Sequence, residues 1–145
     1  MKICSILWLF LLGGICVSNQ AKGQQIEHHV KIKNIQKVKG DLYIGWYDVP
    51  ENFRVNELAI FREKVKVNNQ GEVSVIFKNI PDGRWAIAVF LDENGNYELD
   101  RNIFGIPKEK YGFSNNIMPA LRPASFEEAA FEITGREKFV EITLK

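Results

Sequence analysis

Asp92, Asn94, Asn96, Glu98 and Asp100 place oxygen-bearing side chains at every second residue, with Gly95 inside the run and Asn102 two residues beyond it. Alternate-residue oxygens allow a short loop to curl around a hard cation, because successive odd positions can turn inward together. With Asp92 as position one, Asp92, Asn94, Asn96 and Asp100 would offer side-chain oxygens and Glu98 its backbone carbonyl. Calcium is the implied ion, bound weakly, since two carboxylates and neutral amides give little charge. Two departures stand against it. Position six, where such loops want glycine, holds Tyr97, and position twelve, where a bidentate glutamate closes a helix–loop–helix site, holds Ile103. The competing reading is a polar loop held by Asx-turns, in which Asn and Gly serve only their conformations.

A second candidate segment runs from Gly105 to Asn116, rich in turn formers and aromatics. Long ordered connections carry function more often than elements do. Tyr111 and Phe113 could form a binding platform or plug the end of the fold; Ser114, Asn115 and Asn116 complete the set of ligand-binding candidates with Asn102. A nucleophilic Ser114 would need a base, and the histidines, His28 and His29, lie far upstream and face opposite ways on a strand. Glu98 and Asp100 form the remaining carboxylate pair for hydrolysis, without an evident substrate cleft. No convincing catalytic constellation results, and an enzyme is not expected.

The elements that must hold these residues read as β. Leu42, Ile44 and Trp46 alternate with Tyr43, Gly45 and Tyr47, so both faces of that strand should be covered. Asp48 to Glu51 breaks it. Asn68-Asn69-Gln70-Gly71 reads as a hairpin turn, and Pro81-Asp82-Gly83 as a second one between Val73–Phe77 and Trp85–Leu91. The last strand is apolar on both faces, which suits the middle of a sheet, and it runs straight into Asp92. Lys39 to Asp41 is expected as a turn, Leu58 to Phe61 and Lys64 to Val67 as short pieces, and Phe126 to Ile133 and Phe139 to Leu144 as closing strands. A helical alternative exists at Ser125 to Ala130, with Ser125 as cap and Glu128 at the third position. About seven short strands at roughly 8–12-residue spacing predict a single antiparallel β-sandwich, all-β.

The start of the chain reads as an export signal over residues 1–23. Lys2 precedes an apolar run from Ile3 to Val17, and Ala21 and Gly23 sit at minus three and minus one of a cut before Gln24. The run is about 15 residues, short of the roughly 20 a membrane span needs. Ile15 stands where a lipidation signal before Cys16 wants a small residue. Both cysteines, Cys4 and Cys16, fall inside the signal, so residues 24–145 contain no disulfide and no thiolate. Loss of Lys2 and Lys22 leaves 17 basic against 18 acidic residues. Such a balance gives no reason to expect nucleic acid as a partner, and no later apolar run would cross a bilayer. The expected setting is the periplasm, the cell surface or the medium, with an unidentified extracytoplasmic protein or glycan as partner. Trp46, Trp85, Tyr111 or Phe113 could supply stacking faces for a sugar or peptide.

Gly83-Arg84-Trp85-Ala86, Asp92-Glu93-Asn94-Gly95-Asn96, Leu99-Asp100, Gly105-Ile106-Pro107-Lys108-Glu109 and Tyr111 to Asn116 together resemble the bacterial family catalogued as domain of unknown function 2141. Pro123, Phe126 and Ala129-Ala130-Phe131 fit its closing segment. The resemblance covers nearly all of residues 24–145 and implies an exported sandwich, prealbumin-like or immunoglobulin-like, with no established activity. Family loops have glycine where this chain has Tyr97. The loop also resembles calcium loops of bacterial surface-adhesin repeats at Asp92, Asn94, Asn96, Asp100, Asn102 and Gly105, without the acidic residue they carry where Ile103 stands.

Overall fold

A computed structural model of the 145-residue chain describes residues 25–35 and 39–145. The export signal read over residues 1–23 lies outside the described residues. The chain forms a two-sheet β-sandwich, as the alternation predicts. Its strands are β1 (Glu27–Lys33), β2 (Lys39–Tyr47), β3 (Phe61–Asn68), β4 (Glu72–Lys78), β5 (Gly83–Asp92), β6 (Tyr111–Phe113), β7 (Phe131–Ile133) and β8 (Lys138–Thr143). One sheet has the order β4-β1-β8; the other runs β3-β2-β5-β6, with β7 pairing the start of β5. Every ladder is antiparallel except β1 with β8, where Val30 and Ile32 lie beside Val140 and Ile142.

The core between the sheets is built from the inward positions of each strand. Leu42, Ile44 and Trp46 of β2 and Ile87, Val89 and Leu91 of β5 meet Val30 and Ile32 of β1 and Ile142 of β8. Each such side chain, removed from water, contributes about 1.5–3 kcal/mol. Trp46 and Trp85 are 0% and 5% exposed and meet edge to face at 6.3 Å, so neither offers a stacking surface to a ligand. The stacking role expected of Trp46 and Trp85 is thus excluded by their burial in the core. His28 is also an inward residue, 1% exposed, edge-on to Trp46 at 6.2 Å. Burial holds its pKa below the usual histidine value, against the opposing pull of Asp82 and Glu137.

Both expected hairpins prove to be arches between sheets. Asn68–Gly71 leads from β3 in one sheet to β4 in the other, and Pro81–Gly83 leads from β4 back to β5. The local chemistry is as read, with Asn69 at φ 64°, but a tight turn does not dictate that its flanking strands pair. The doubly apolar β5 settles the matter: it takes the central place beside β2, β6 and β7. Lys39–Asp41 is strand rather than turn, pairing Asn68 to Lys66 of β3. Gly40 (φ 154°) belongs there because a Cβ would collide with the Asp92 carbonyl. The pieces read at Leu58–Phe61 and Lys64–Val67 resolve into a 3-10 turn at Asn56–Leu58 and the unbroken β3.

The closing segment follows the helical alternative in its first half. Phe126–Ala129 forms α1, a single turn, and only Phe131–Ile133 is strand. Ser125 caps the turn through its hydroxyl, while the Glu128 carboxylate accepts from the Ser125 amide at 2.9 Å, a reciprocal capping box. Helix α1 buries Phe126 and Ala129 over the outer face of the β3-β2-β5-β6 sheet, against Tyr47, Phe53, Ala86 and Phe113. That second core explains why β2 and β5 are apolar on both sides.

Candidate functional site

Strand β5 delivers Asp92 into the loop with its carboxylate buried. Oδ1 accepts from the amides of Gly95 and Asn96 at 2.6 and 3.2 Å, and Oδ2 from Tyr97 at 2.9 Å. Asn94 and Asn96 each accept, through Oδ1, from the amide two residues on, both at 3.0 Å. These are Asx-turns, the local competitors of regular structure. The Nδ2 groups of the same two asparagines donate to Oδ2 and Oδ1 of Asp100 at 2.7 and 2.9 Å. Beneath the loop, Glu109 accepts from the Glu93 amide at 2.8 Å and the Asp100 amide at 3.0 Å. Asn102 closes the next turn, accepting from Phe104 and Ile106 at 2.9 and 3.0 Å.

The four residues read as cation ligands by their side chains are thus brought together. Their oxygens, however, are occupied by N–H donors from the loop itself. Asp100 faces two amide NH2 groups, and Asp92 three backbone amides. In this arrangement the set fits the Asx-turn reading, and a cation would have to turn both asparagine amides away from Asp100. Glu98 adds its backbone amide to Asn96 and leaves its side chain exposed. At position six the backbone is left-handed, as a glycine would be, yet the residue is Tyr97 at φ 69°. Its ring is held by neighbours: Tyr43 meets it edge-on at 6.3 Å and the Lys64 ammonium lies 5.3 Å from its centre. Lys64 is itself anchored on Asp41 at 2.8 Å; that bond lowers the Asp41 pKa and raises that of Lys64.

Between this loop and the second core lies a cleft of about 650 Å³. Its floor is the outer face of the sheet at Ala88, Phe90 and Tyr111. One wall is Arg54 to Glu57, another Tyr97 to Leu99 with Arg101 and Phe104 to Pro107, and the third the strap Pro119 to Pro123. The strap is tied to α1 by Arg122, whose guanidinium meets Glu128 at 2.7 and 2.8 Å. That pair and the Ser125 cap draw the Glu128 pKa down to about 2. Phe104, Ile106 and Leu121, 80%, 58% and 99% exposed, form an apolar rim. Tyr47 faces the same space, and burial with the nearby Glu57 charge pushes its hydroxyl up to about 12.

Among the other candidates, Tyr111 joins the cleft floor, while Phe113 is 5% exposed and packs on Phe53 at 5.7 Å, nearer the plug reading. Ser114 is fully buried; its hydroxyl accepts from the Ile87 amide and donates to the Ala129 carbonyl. Asn115 donates to the Glu128 and Ala130 carbonyls, and Asn116 bridges the Glu141 carbonyl and the Thr143 amide. These three pin β6 to α1 and β8. The sequence reading missed Glu109, Arg54, Arg101 and Phe104. Glu109 carried a signal, an acidic residue following a turn-rich apolar stretch, but its partners are backbone amides that no residue type reveals. Arg54 and Arg101 lie far apart in sequence and share only the cleft.

No curated protein and no solved structure matches the chain. A family model does, over residues 30–141, from the start of the inner core to the last strand. The chain therefore belongs to the bacterial family described as "Uncharacterized protein conserved in bacteria (DUF2141)".

Proposed function

We propose that this protein is a non-enzymatic binding module, exported from the bacterial cell, that receives a ligand in the cleft beside the Asp92–Asn102 loop. The observation that carries the reading is the cleft itself. Its volume falls in the range of about 300–1,000 Å³ usual for small-ligand sites, and its aromatic and apolar lining is interspersed with Arg54, Glu57, Glu98, Arg101 and Arg122. The polar loop forms one wall, so its many internal hydrogen bonds serve to hold that wall in place. Hydrolysis by Glu98 and Asp100 has weaker support, because both Asp100 oxygens already accept from asparagine amides. Export rests on the sequence of residues 1–23; protein recovered outside the cytoplasm should begin at Gln24.

The test is an amide-resolved NMR titration with a small set of aromatic and aliphatic probe compounds. Shifts should concentrate on Ala88, Phe90, Tyr111 and Tyr97, and Ala88→Trp, which fills the floor, should abolish them. Shifts scattered over the surface, or unchanged by Ala88→Trp, would refute the reading.

A calcium-ordered loop is the second reading, favoured by the convergence of Asp92, Asn94, Asn96 and Asp100. Turning the two amides breaks their bonds to the Asp100 carboxylate, about 1.5–3 kcal/mol each for hydrogen bonds to a charged group. Affinity near the weak extracellular range of about 10⁻⁴–10⁻³ M follows. Thermal melts in millimolar calcium and in chelator should then differ; superimposable melts eliminate the ion.

A further inference from the structure

We propose that the cleft selects a small amphipathic anion, a carboxylate on an apolar body, whose charged end sits between Arg54 and Arg101. The inference rests on the binding-module reading above and names its ligand class.

Charge is the first argument. Of the three arginines lining the cleft, Arg122 is neutralised by Glu128. Among the described residues neither Arg54 nor Arg101 has an ion pair. Arg54 rests on the Phe53 ring at 6.0 Å, and the Arg101 guanidinium donates a long 3.4 Å bond to the Gly105 carbonyl. Burial and the Arg101 charge both work against the charge on Arg54. Arg54 and Arg101 are both exposed residues on the cleft wall, and two like charges lining one space without a counter-ion are what a bound carboxylate would relieve. Glu57 and Glu98 also line the cleft, but neither meets these arginines in an ion pair; the Glu57 charge acts on Tyr47 instead.

Backbone strain points to the same place. Among the described residues, seven non-glycine residues have positive φ, and five are asparagines, which tolerate it. The other two are Arg54 (φ 72°) and Tyr97 (φ 69°), and both line this cleft. Long side chains in the left-handed region persist where the surroundings fix them, typically around ligand sites.

The remaining lining selects the body of the ligand. Ala88, Phe90 and Tyr111 below and Phe104, Ile106 and Leu121 at the rim are apolar surface. A peptide added as a strand is disfavoured at β6, whose outer side at Tyr111 is taken by Lys145 through hydrogen bonds of 3.1 and 3.0 Å.

The test is calorimetric titration of the purified chain with decanoate and with 1-decanol, and with an N-acetylated dipeptide acid as the peptide source of a carboxylate. Decanoate should bind about tenfold tighter than decanol, the effect of one charge-assisted hydrogen bond. The double variant Arg54→Gln, Arg101→Gln should erase that preference and leave decanol binding unchanged, which also shows that it folds. Equal affinities in the unmodified chain, a preference surviving in the double variant, or tighter binding of the dipeptide would each overturn the anion assignment. If both compounds bind equally and Ala88→Trp removes both, the cleft reading stands without it. If neither binds, both fall.

Discussion

Glu109 holds Asp100 through the backbone, its Oε2 accepting from the Asp100 amide at 3.0 Å while Oε1 accepts from Glu93 at 2.8 Å. One carboxylate thus joins the entry and the exit of the polar loop. Replacing it by alanine leaves two amide donors without partners, at about 1–3 kcal/mol. Urea denaturation of Glu109→Ala should register that loss, and hydrogen exchange at Glu93 and Asp100 should accelerate. Unchanged protection at both amides would show that another group holds the loop.

Gly40 admits the Asp92 carbonyl at the point where β2 and β5 converge. Backbone cannot retreat as a flexible side chain can, so Gly40→Ala must shift a central ladder. A loss of about 1–3 kcal/mol is expected, the usual cost of overpacking. A variant as stable as the parent chain would mean that the two strands can separate locally.

The Glu128 carboxyl, drawn down to about 2 by Arg122 and the Ser125 cap, should titrate by NMR well below an ordinary glutamate. Its folded pKa is depressed, so its contribution to stability is complete above the unfolded value of 4.5 and disappears as pH falls through about 2. Arg122→Gln should move the midpoint upward, though not fully, because the Ser125 amide remains. Immobility of the midpoint in that variant would assign the shift to the cap alone.

His28 predicts a second acid sensitivity at higher pH. Its folded pKa lies below the ordinary 6.5, since burial disfavours the charged ring more than Asp82 and Glu137 favour it and His29 adds repulsion. The unfolded chain therefore takes up a proton first as pH drops. Stability is full above about 6.5 and declines below it, by at most about 1.4 kcal/mol per pH unit for one group. Denaturation midpoints at pH 7.5 and 5.5 should differ in the parent chain and converge in His28→Leu. An equal pH dependence in both proteins would locate the sensitivity elsewhere.

The strands were legible because alternation is local: Leu42–Tyr47 and Trp85–Leu91 declare two covered faces, and Pro81-Asp82-Gly83 declares a turn. The partners of those strands were not. A turn of given chemistry serves a hairpin or an arch equally, so β4 was read against β5 although it lies against β1. Similarly, Ser125 and Glu128 announced a cap, but the apolar residues after it fit strand as well as helix. Burial of Phe126 and Ala129 on the second core decided it.

By itself the sequence determined a two-sheet sandwich, a central doubly apolar strand, and a loop at its end with alternating oxygens. It did not fix the left-handed backbone at position 97, because Tyr97 stands there in place of the glycine that would declare it. Only the tertiary structure decided where those oxygens point, that Trp46 and Trp85 are core, and that Arg54 and Arg101 share a cleft. The reason is physical: periodicity and turn chemistry act over a few residues, whereas hydrogen-bond partners and cleft walls come from segments that meet only once the sheets have packed.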